Sequence, residues 1–318
     1  MREPMSKEPQ KKHEKHISEH EVEAIEAHAP ITAPAIFEAI RRQGETELMR
    51  PVSALSMSAL IAGMALGFSV LAEGVLRAHL PDAQWRPLIE SFGYSVGFML
   101  VILGQMQLFT ENTITAVCPV LDEPSRAAFG RLMRLWSLVL LFNVIGATGF
   151  GFVLWAMQDI QPETWEAVEA LSIEAVTGGW WPTLLKGIGA GWLIAALVWV
   201  MPNAENTKVG LIVLITYLIA LAEFAHVVAG TAEASALMFE GILTPVEAYW
   251  GFVTPAMIGD SLGAPCSSPS LPGRRSGPNS SRARKEDRAR QGCHHASNKW
   301  RERALMWQPH INQGETHV

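Results

Sequence analysis

A single histidine, His226, stands in the apolar run VGLIVLITYLIALAEFAHVVAGTAEASALMF, Val209 to Phe239. Glu223 precedes it and Gly230 follows it within one helical turn on each side. An ionisable side chain at the centre of a bilayer costs about 2.5–3.5 kcal/mol or more, so a chain that keeps one there uses it or pairs it. A neutral imidazole is a poor acid, but a protonated one can hand a proton to a weak base. A bare anion is costly in an apolar constriction, and protonation removes much of that cost. The chemistry open to His226 is therefore to supply positive charge or a proton at the midplane. The alternative is a buried neutral histidine bonded to a carbonyl freed by a helix break. Gly230 marks such a break, and broken helices at the midplane are how many transporters build a substrate site.

A second polar interruption, GQMQLFTEN (Gly104 to Asn112), lies in another apolar run. Both runs exceed what one crossing needs. Residues 88–120 would form a straight helix of about 50 Å, against a hydrocarbon core of about 30 Å. Interruptions at corresponding places of two halves are the sequence sign of an inverted repeat with paired discontinuous helices. Two long tilted helices with chance polar residues are the alternative. Glu223 either orients the His226 ring or caps the break. Glu111 lies inside the Gly104 to Asn112 interruption, and Glu73, near the end of its span, reads as interfacial. Thr110 reads as a helix-bonded hydroxyl, and Leu108 and Phe109 read as core on composition alone.

These residues need membrane helices to position them. The chain is 49% hydrophobic, and two charged tails flank a very apolar middle. A spanning helix needs about 20 mainly apolar residues. Six segments qualify: 53–76, 88–120, 132–157, 181–201, 209–239 and 243–263, the second and fifth interrupted. The expected fold is an all-α integral membrane bundle, with residues 1–50 a polar N-terminal tail, 51–263 the membrane domain and 264–318 a disordered basic tail. Small residues such as Gly63, Gly67, Gly146, Gly187 and Gly191 let helix backbones approach closely in lipid. Lys and Arg gather in the N-terminal tail (Lys11, Lys12, Arg41, Arg42), in the second-to-third loop (Arg126, Arg131, Arg134) and at Lys208. The third-to-fourth loop holds Glu163, Glu166, Glu169 and Glu174 without Lys or Arg. The Lys/Arg bias therefore puts the N-terminus in the cytoplasm. No apolar h-region opens the chain, so the first span is expected to serve as its own insertion signal.

Other function classes find little support. Cys118, Cys266 and Cys293 form no CxxC pair and no zinc spacing, and His294 and His295 beside Cys293 read as scattered tail residues. No cofactor is expected. Formal net charge is −6, although the tail from Ala264 has ten Lys/Arg against four acids. That tail alone would suit nucleic acid, but nothing else does, and no nucleic-acid partner is expected. No paired carboxylates or nucleophile–base arrangement in the membrane region points to an enzyme.

Taken in order, these motifs resemble the formate/nitrite transporter family, and within it the divergent YfdC-like branch. QLFTEN (Gln107 to Asn112) is similar to the family's LFT segment in the broken second helix. FNVIGA (Phe142 to Ala147) is similar to the N-x-x-G of its third, and LLKGIGAGWLIAALVW (Leu184 to Trp199) to its fourth. EFAHVVAG resembles its E-H-x-x-A-N segment, FVTPAMIGDSLG (Phe252 to Gly263) its sixth-helix signature, and APAIFEAIRRQGETELMR (Ala33 to Arg50) its cytoplasmic N-terminal helix. The resemblance implies an aquaporin-like six-helix bundle of two inverted three-helix repeats, assembled as a homopentamer in a bacterial inner membrane with one pore per protomer. It implies passage of small monovalent anions such as formate or nitrite, with protons involved. His226 would be the central pore histidine. Leu108 and Phe109 would form an apolar constriction, and Thr110 would hydrogen-bond His226 or the anion. The chain departs from the family at Gly230 and Gly191, where asparagines are usual, and the family's pore-entrance lysine aligns near Ala175, with Lys186 inside the fourth span instead.

After Gly263 the composition turns at once to Ser, Pro, Gly and Arg, which cannot form a membrane helix. A sixth helix from Tyr249 would then be only about 22 Å long. A frameshift within this span is the expectation, and a genuine variant tail the alternative. Three functions stay open: a pore for small anions, an aquaporin-like pore for neutral solutes, and a non-transporting membrane protein.

Overall fold

The computed structural model describes residues 31–204 and 206–266. The expectations for residues 1–30, and for the basic tail beyond Cys266, lie outside the described residues. Helix α1 (Ala33–Met49) buries Ile36, Ile40, Gly44 and Leu48, one per turn, so a single stripe faces the rest of the fold. On its other face Glu38 bonds Arg41 and Arg42 at 2.7 and 2.6 Å. Its last carbonyls, at Leu48 and Arg50, accept from the Arg134 guanidinium.

Helix α2 (Val52–His79) leads to the short α3 (Arg86–Glu90) and then to α4 (Ser95–Leu103). After a five-residue gap the chain resumes as α5 (Phe109–Thr115) and α6 (Val117–Asp122). Helix α7 (Arg126–Ala156) begins at Ser125, whose hydroxyl accepts from the Ala128 amide at 3.0 Å, the usual role of an N-cap serine. Next come α8 (Pro162–Val176), α9 (Trp180–Val200) and α10 (Lys208–Leu221). A second gap precedes α11 (Val227–Glu240), which Gly241 terminates with φ of 85°. A π-helical segment, Glu247–Val253, runs directly into α12 (Thr254–Cys266).

Two helix pairs pack most extensively, α2 with α7 and α9 with α12. Both depend on glycine. Gly63 lies on the backbone of Asn143, and Gly67 on the ring of Phe150. Gly191 lies on the backbone of Asp260, and a Cβ on Gly187 would come within 3.0 Å of the Ala256 carbonyl. The segments that follow the two gaps cross over. Helix α5 packs on α9 and α12, whereas α11 packs on α2 and α7.

Among the described residues, four helical runs are long and apolar enough to cross a membrane: Val52–His79, Arg86–Leu103, Arg126–Asp159 and Trp180–Asn203. Their outer faces stay apolar. Met57, Ile61, Met64 and Phe68 stand exposed along α2, and Leu141, Ile145 and Phe152 along α7. Such stripes suit hydrocarbon rather than water. Helix α10 has only 14 residues, about 21 Å.

Three features differ from what the sequence suggests. Residues 162–176, read there as a charged loop, form a helix that buries Trp165, Val168, Ser172 and Val176. Their spacing is helical, and reading the segment for charge alone missed it. Glu73 is buried. The last helix also starts two residues before Tyr249 and runs past Gly263 to Cys266. That gives on the order of 30 Å of continuous helix rather than about 22 Å.

Candidate functional site

The two gaps share one construction. Helix α4 ends with Met106 N–H bonded to Val101 O at 3.0 Å and Gln105 N–H to Ile102 O at 3.2 Å. Helix α10 ends with Phe224 N–H bonded to Ile219 O at 2.9 Å and Glu223 N–H to Ala220 O at 2.8 Å. Both are Schellman endings, which need a left-handed residue and normally use glycine. Here the residues are Gln105, φ 50°, and Glu223, φ 52°. Three residues on, Leu108 and His226 are extended and cap the next helices, α5 and α11.

A buried side chain from a neighbouring helix holds the first amide of each new helix. Phe109 N–H donates to Asn143 Oδ1 at 2.9 Å, and Val227 N–H donates to Asp260 Oδ2 at 2.8 Å. Asn143 also donates from Nδ2 to Ala59 O and Gln107 O, at 2.7 and 2.9 Å. Sequence reasoning placed both residues inside motifs and gave neither a role. The signal was present: each is a strongly polar side chain near the middle of an apolar helix.

The caps bring Thr110 and His226 together. Thr110 Oγ1 lies 2.9 Å from His226 Nε2, and both residues are buried, at 0% and 1% exposure. On the other side of the ring, Nδ1 accepts from the Ala229 amide at 3.4 Å, a long bond of the N-cap type. That assigns the ring proton to Nε2, where it is donated to Thr110. The imidazole is therefore neutral in this arrangement, because a proton on Nδ1 would face the Ala229 N–H. Phe98 of α4 meets the ring edge-on with centroids 5.0 Å apart. Sequence reasoning missed Phe98, one aromatic residue in an apolar run.

The remaining expected residues divide. Leu108 lines a cavity of about 440 Å³ together with Gln43, Glu47, Gln107, Glu111 and Lys208. Thr110 and His226 do not line it, so the buried pair is closed off from that cavity. Phe109 turns instead to Trp136, with ring centroids 5.7 Å apart. Glu223 does not orient the imidazole. Its side chain is 73% exposed and pairs with Lys186 at 3.1 Å. Helix α1 closes over the cavity, where Glu47 accepts from Gln107 Nε2 at 2.7 Å and Gln107 in turn accepts from Asn112 at 3.2 Å. Burial raises the Glu47 carboxyl, against the opposing pull of Arg50. Gly230 and Gly191, where the family favours asparagine, have no room for a side chain: the Phe252 ring covers the first and the Asp260 backbone the second. Among the described residues no group of His, Cys, Asp or Glu could hold a metal ion.

The family model described as formate/nitrite transporter matches residues 34–266. The chain belongs to the formate/nitrite transporter family. Its relative in this family, the inner membrane protein YfdC of Escherichia coli strain K12, is 39% identical over 245 residues, covering 76% of this chain and 78% of that one. Two solved structures of the formate/nitrite transporter type share the fold at 17% identity. One, an FNT family ion channel, matches with a TM-score of 0.61 over 73% of this chain and 93% of its own. The other, a pentameric formate channel with formate bound, matches with a TM-score of 0.57 over 68% and 93%.

Proposed function

We propose that the chain forms a membrane pore for small monovalent anions of the formate and nitrite kind, with the Thr110–His226 pair at its centre. The observation that carries this reading is the hydrogen bond between those two side chains, one from each helix break. Six crossings follow if α4 with α5 count as one broken span and α10 with α11 as another. Three crossings then make each half, and the matching Schellman endings, amide caps and tight helix pairs support an inverted repeat. On this reading residues 51–263 are the pore domain. The Lys/Arg bias of the loops supports a cytoplasmic N-terminus, and the YfdC relative supports an inner-membrane location. The fold shared with a pentameric formate channel supports a homopentamer with one pore in each protomer.

The mechanism follows from the geometry. An anion enters the cavity beneath α1 and stops at Leu108, the apolar lining residue two positions before Thr110. Leu108 is the apolar constriction that excludes hydrated ions, while Phe109 packs behind it on Trp136. Beyond it the N-termini of α5 and α11 present partial positive charge. Thr110 and the Nε2–H of His226 offer hydrogen bonds in a dry setting, where they count for more than in water. A neutral imidazole donates a hydrogen bond but holds its proton. When the ring gains a second proton, Nδ1 leaves the Ala229 amide and Nε2 can pass its proton to the anion. The anion then crosses the apolar stretch as the neutral acid.

Proteoliposome flux tests this. Wild type is expected to carry formate and nitrite faster at lower pH, and His226→Phe to cut that flux on the order of 100-fold, the usual scale of a proton-transfer group. Unchanged flux and selectivity in His226→Phe would reject the role of the histidine. Fast glycerol swelling without formate uptake would favour the neutral-solute pore.

A further inference from the structure

Asn143 and Asp260 occupy the same place at the two breaks. Each accepts the first amide of a half-helix, and each has a glycine of a tightly packed neighbour, Gly63 or Gly191, against its backbone. Their second polar atoms differ. Asn143 Nδ2 donates to two main-chain oxygens, whereas Asp260 Oδ1 is buried without a hydrogen-bond partner. Asp260 is 0% exposed, and among the described residues no salt bridge reaches it. The elements packed on α12 carry few charges. Helix α9 offers Lys186, paired with Glu223; α5 offers Glu111, at the cavity; α11 offers Glu233 and, at its far end, Glu240, bonded to Trp155; and the π-helical segment offers Glu247. His226 caps α11 and bonds Thr110. None of these groups is bonded to Asp260.

A buried carboxylate left with one bare oxygen and no counter-charge is a costly arrangement. A carboxylic acid is not, because its O–H is a donor. We propose that Asp260 is a positioning residue that works in its protonated form. Oδ2 holds the Val227 amide and so fixes His226, while a proton on Oδ1 replaces the amide donor of Asn143. The neutral acid also leaves the partial positive charge of the α11 N-terminus available to an anion, where a carboxylate would cancel it. This last consequence rests on the pore reading above; the protonation itself does not.

Infrared difference spectroscopy of the purified full chain at neutral pH, wild type minus Asp260→Asn, provides the test. The expected spectrum contains the carbonyl stretch of a protonated carboxylic acid. Asp260→Asn is expected to keep the assembled state and wild-type formate flux, because the amide supplies the same acceptor and donor. Asp260→Leu is expected to lose flux. Carboxylate bands in place of the acid band would overturn the proposal, as would Asp260→Asn losing as much flux as Asp260→Leu. If wild type carries no formate at all, the pore reading fails while the infrared result still decides the protonation state. If Asp260→Leu does not assemble, the spectrum of Asp260→Asn still decides it.

Discussion

At the first break Asn143 accepts one amide and donates to two carbonyls, so every polar atom of its side chain is used. At the second, Asp260 accepts the corresponding amide and leaves one oxygen without a partner. The ends of the preceding helices are alike in hydrogen bonding and in their left-handed residue. The same backbone device therefore carries two different jobs. The first break is a fully bonded frame that presents Thr110 and, towards the cavity, Leu108. The second presents a titratable ring beside a titratable acid. The ordinary end of α11 uses a glycine, Gly241, for the left-handed turn. The two breaks use Gln105 and Glu223 instead and carry the strain that glycine would avoid.

Asn143→Leu should separate the breaks most sharply. It removes three hydrogen bonds and leaves the Phe109 amide and two carbonyls buried and unpaired, at about 1–3 kcal/mol for each group. We expect loss of the assembled protein in detergent, read by size-exclusion chromatography, whereas Asp260→Asn should assemble normally. A well-assembled Asn143→Leu would show that the first break does not depend on its cap.

Gly63→Ala and Gly191→Ala probe what the breaks share. In both, the new methyl meets the backbone of the capping residue. Overpacking of this kind costs about 1–3 kcal/mol, so thermal unfolding should drop by similar amounts in the two variants. A drop in only one of them would deny that the two helix pairs are equivalent.

Gln105→Gly should act in the opposite direction. It relieves a left-handed residue worth about 1–2 kcal/mol and gives back roughly 0.5–1 kcal/mol of chain entropy. A small rise in melting temperature is expected. Glu223→Gly should gain less, because it also removes the pair with Lys186. A fall for Gln105→Gly would mean that its side chain, not its backbone, matters at the break.

The smallest effect belongs outside the breaks. Glu38 on α1 is lowered from 4.5 to about 2, first by its hydrogen bond to Arg41 and then by Arg42. A depressed carboxyl contributes stability that is present above the unfolded value and lost as pH falls through the folded one. Between pH 4.5 and 2, hydrogen exchange in α1 should therefore rise modestly, the pair being partly solvent-screened. Glu38→Gln should remove that pH dependence. Unchanged exchange across this interval in wild type would mean that the Glu38–Arg41 pair does not hold α1.

Much of this was legible in the sequence. The interruptions at 104–112 and 223–230 could be read because polar residues and glycine are costly inside long apolar runs. The partnership of Thr110 with His226 could be read only through the family resemblance, since a threonine in a membrane helix usually bonds its own backbone. Asn143, Asp260 and Phe98 were not assigned, because their roles depend on which helices cross, and apolar periodicity does not carry that. The burial of Trp165 and Val168 was missed because the acidic residues around them, Glu163, Glu166 and Glu169, drew the reading to charge. Glu223 was expected to orient the ring or to cap the break; it takes the left-handed turn at the break, with its side chain directed outward to Lys186.

The account depends most on Thr110 and His226 acting as one unit. A double-mutant cycle on pH-dependent formate flux, with Thr110→Val, His226→Phe and both together, measures this coupling. The account predicts that the double variant is no slower than His226→Phe alone. Independent losses that multiply in the double variant would contradict it.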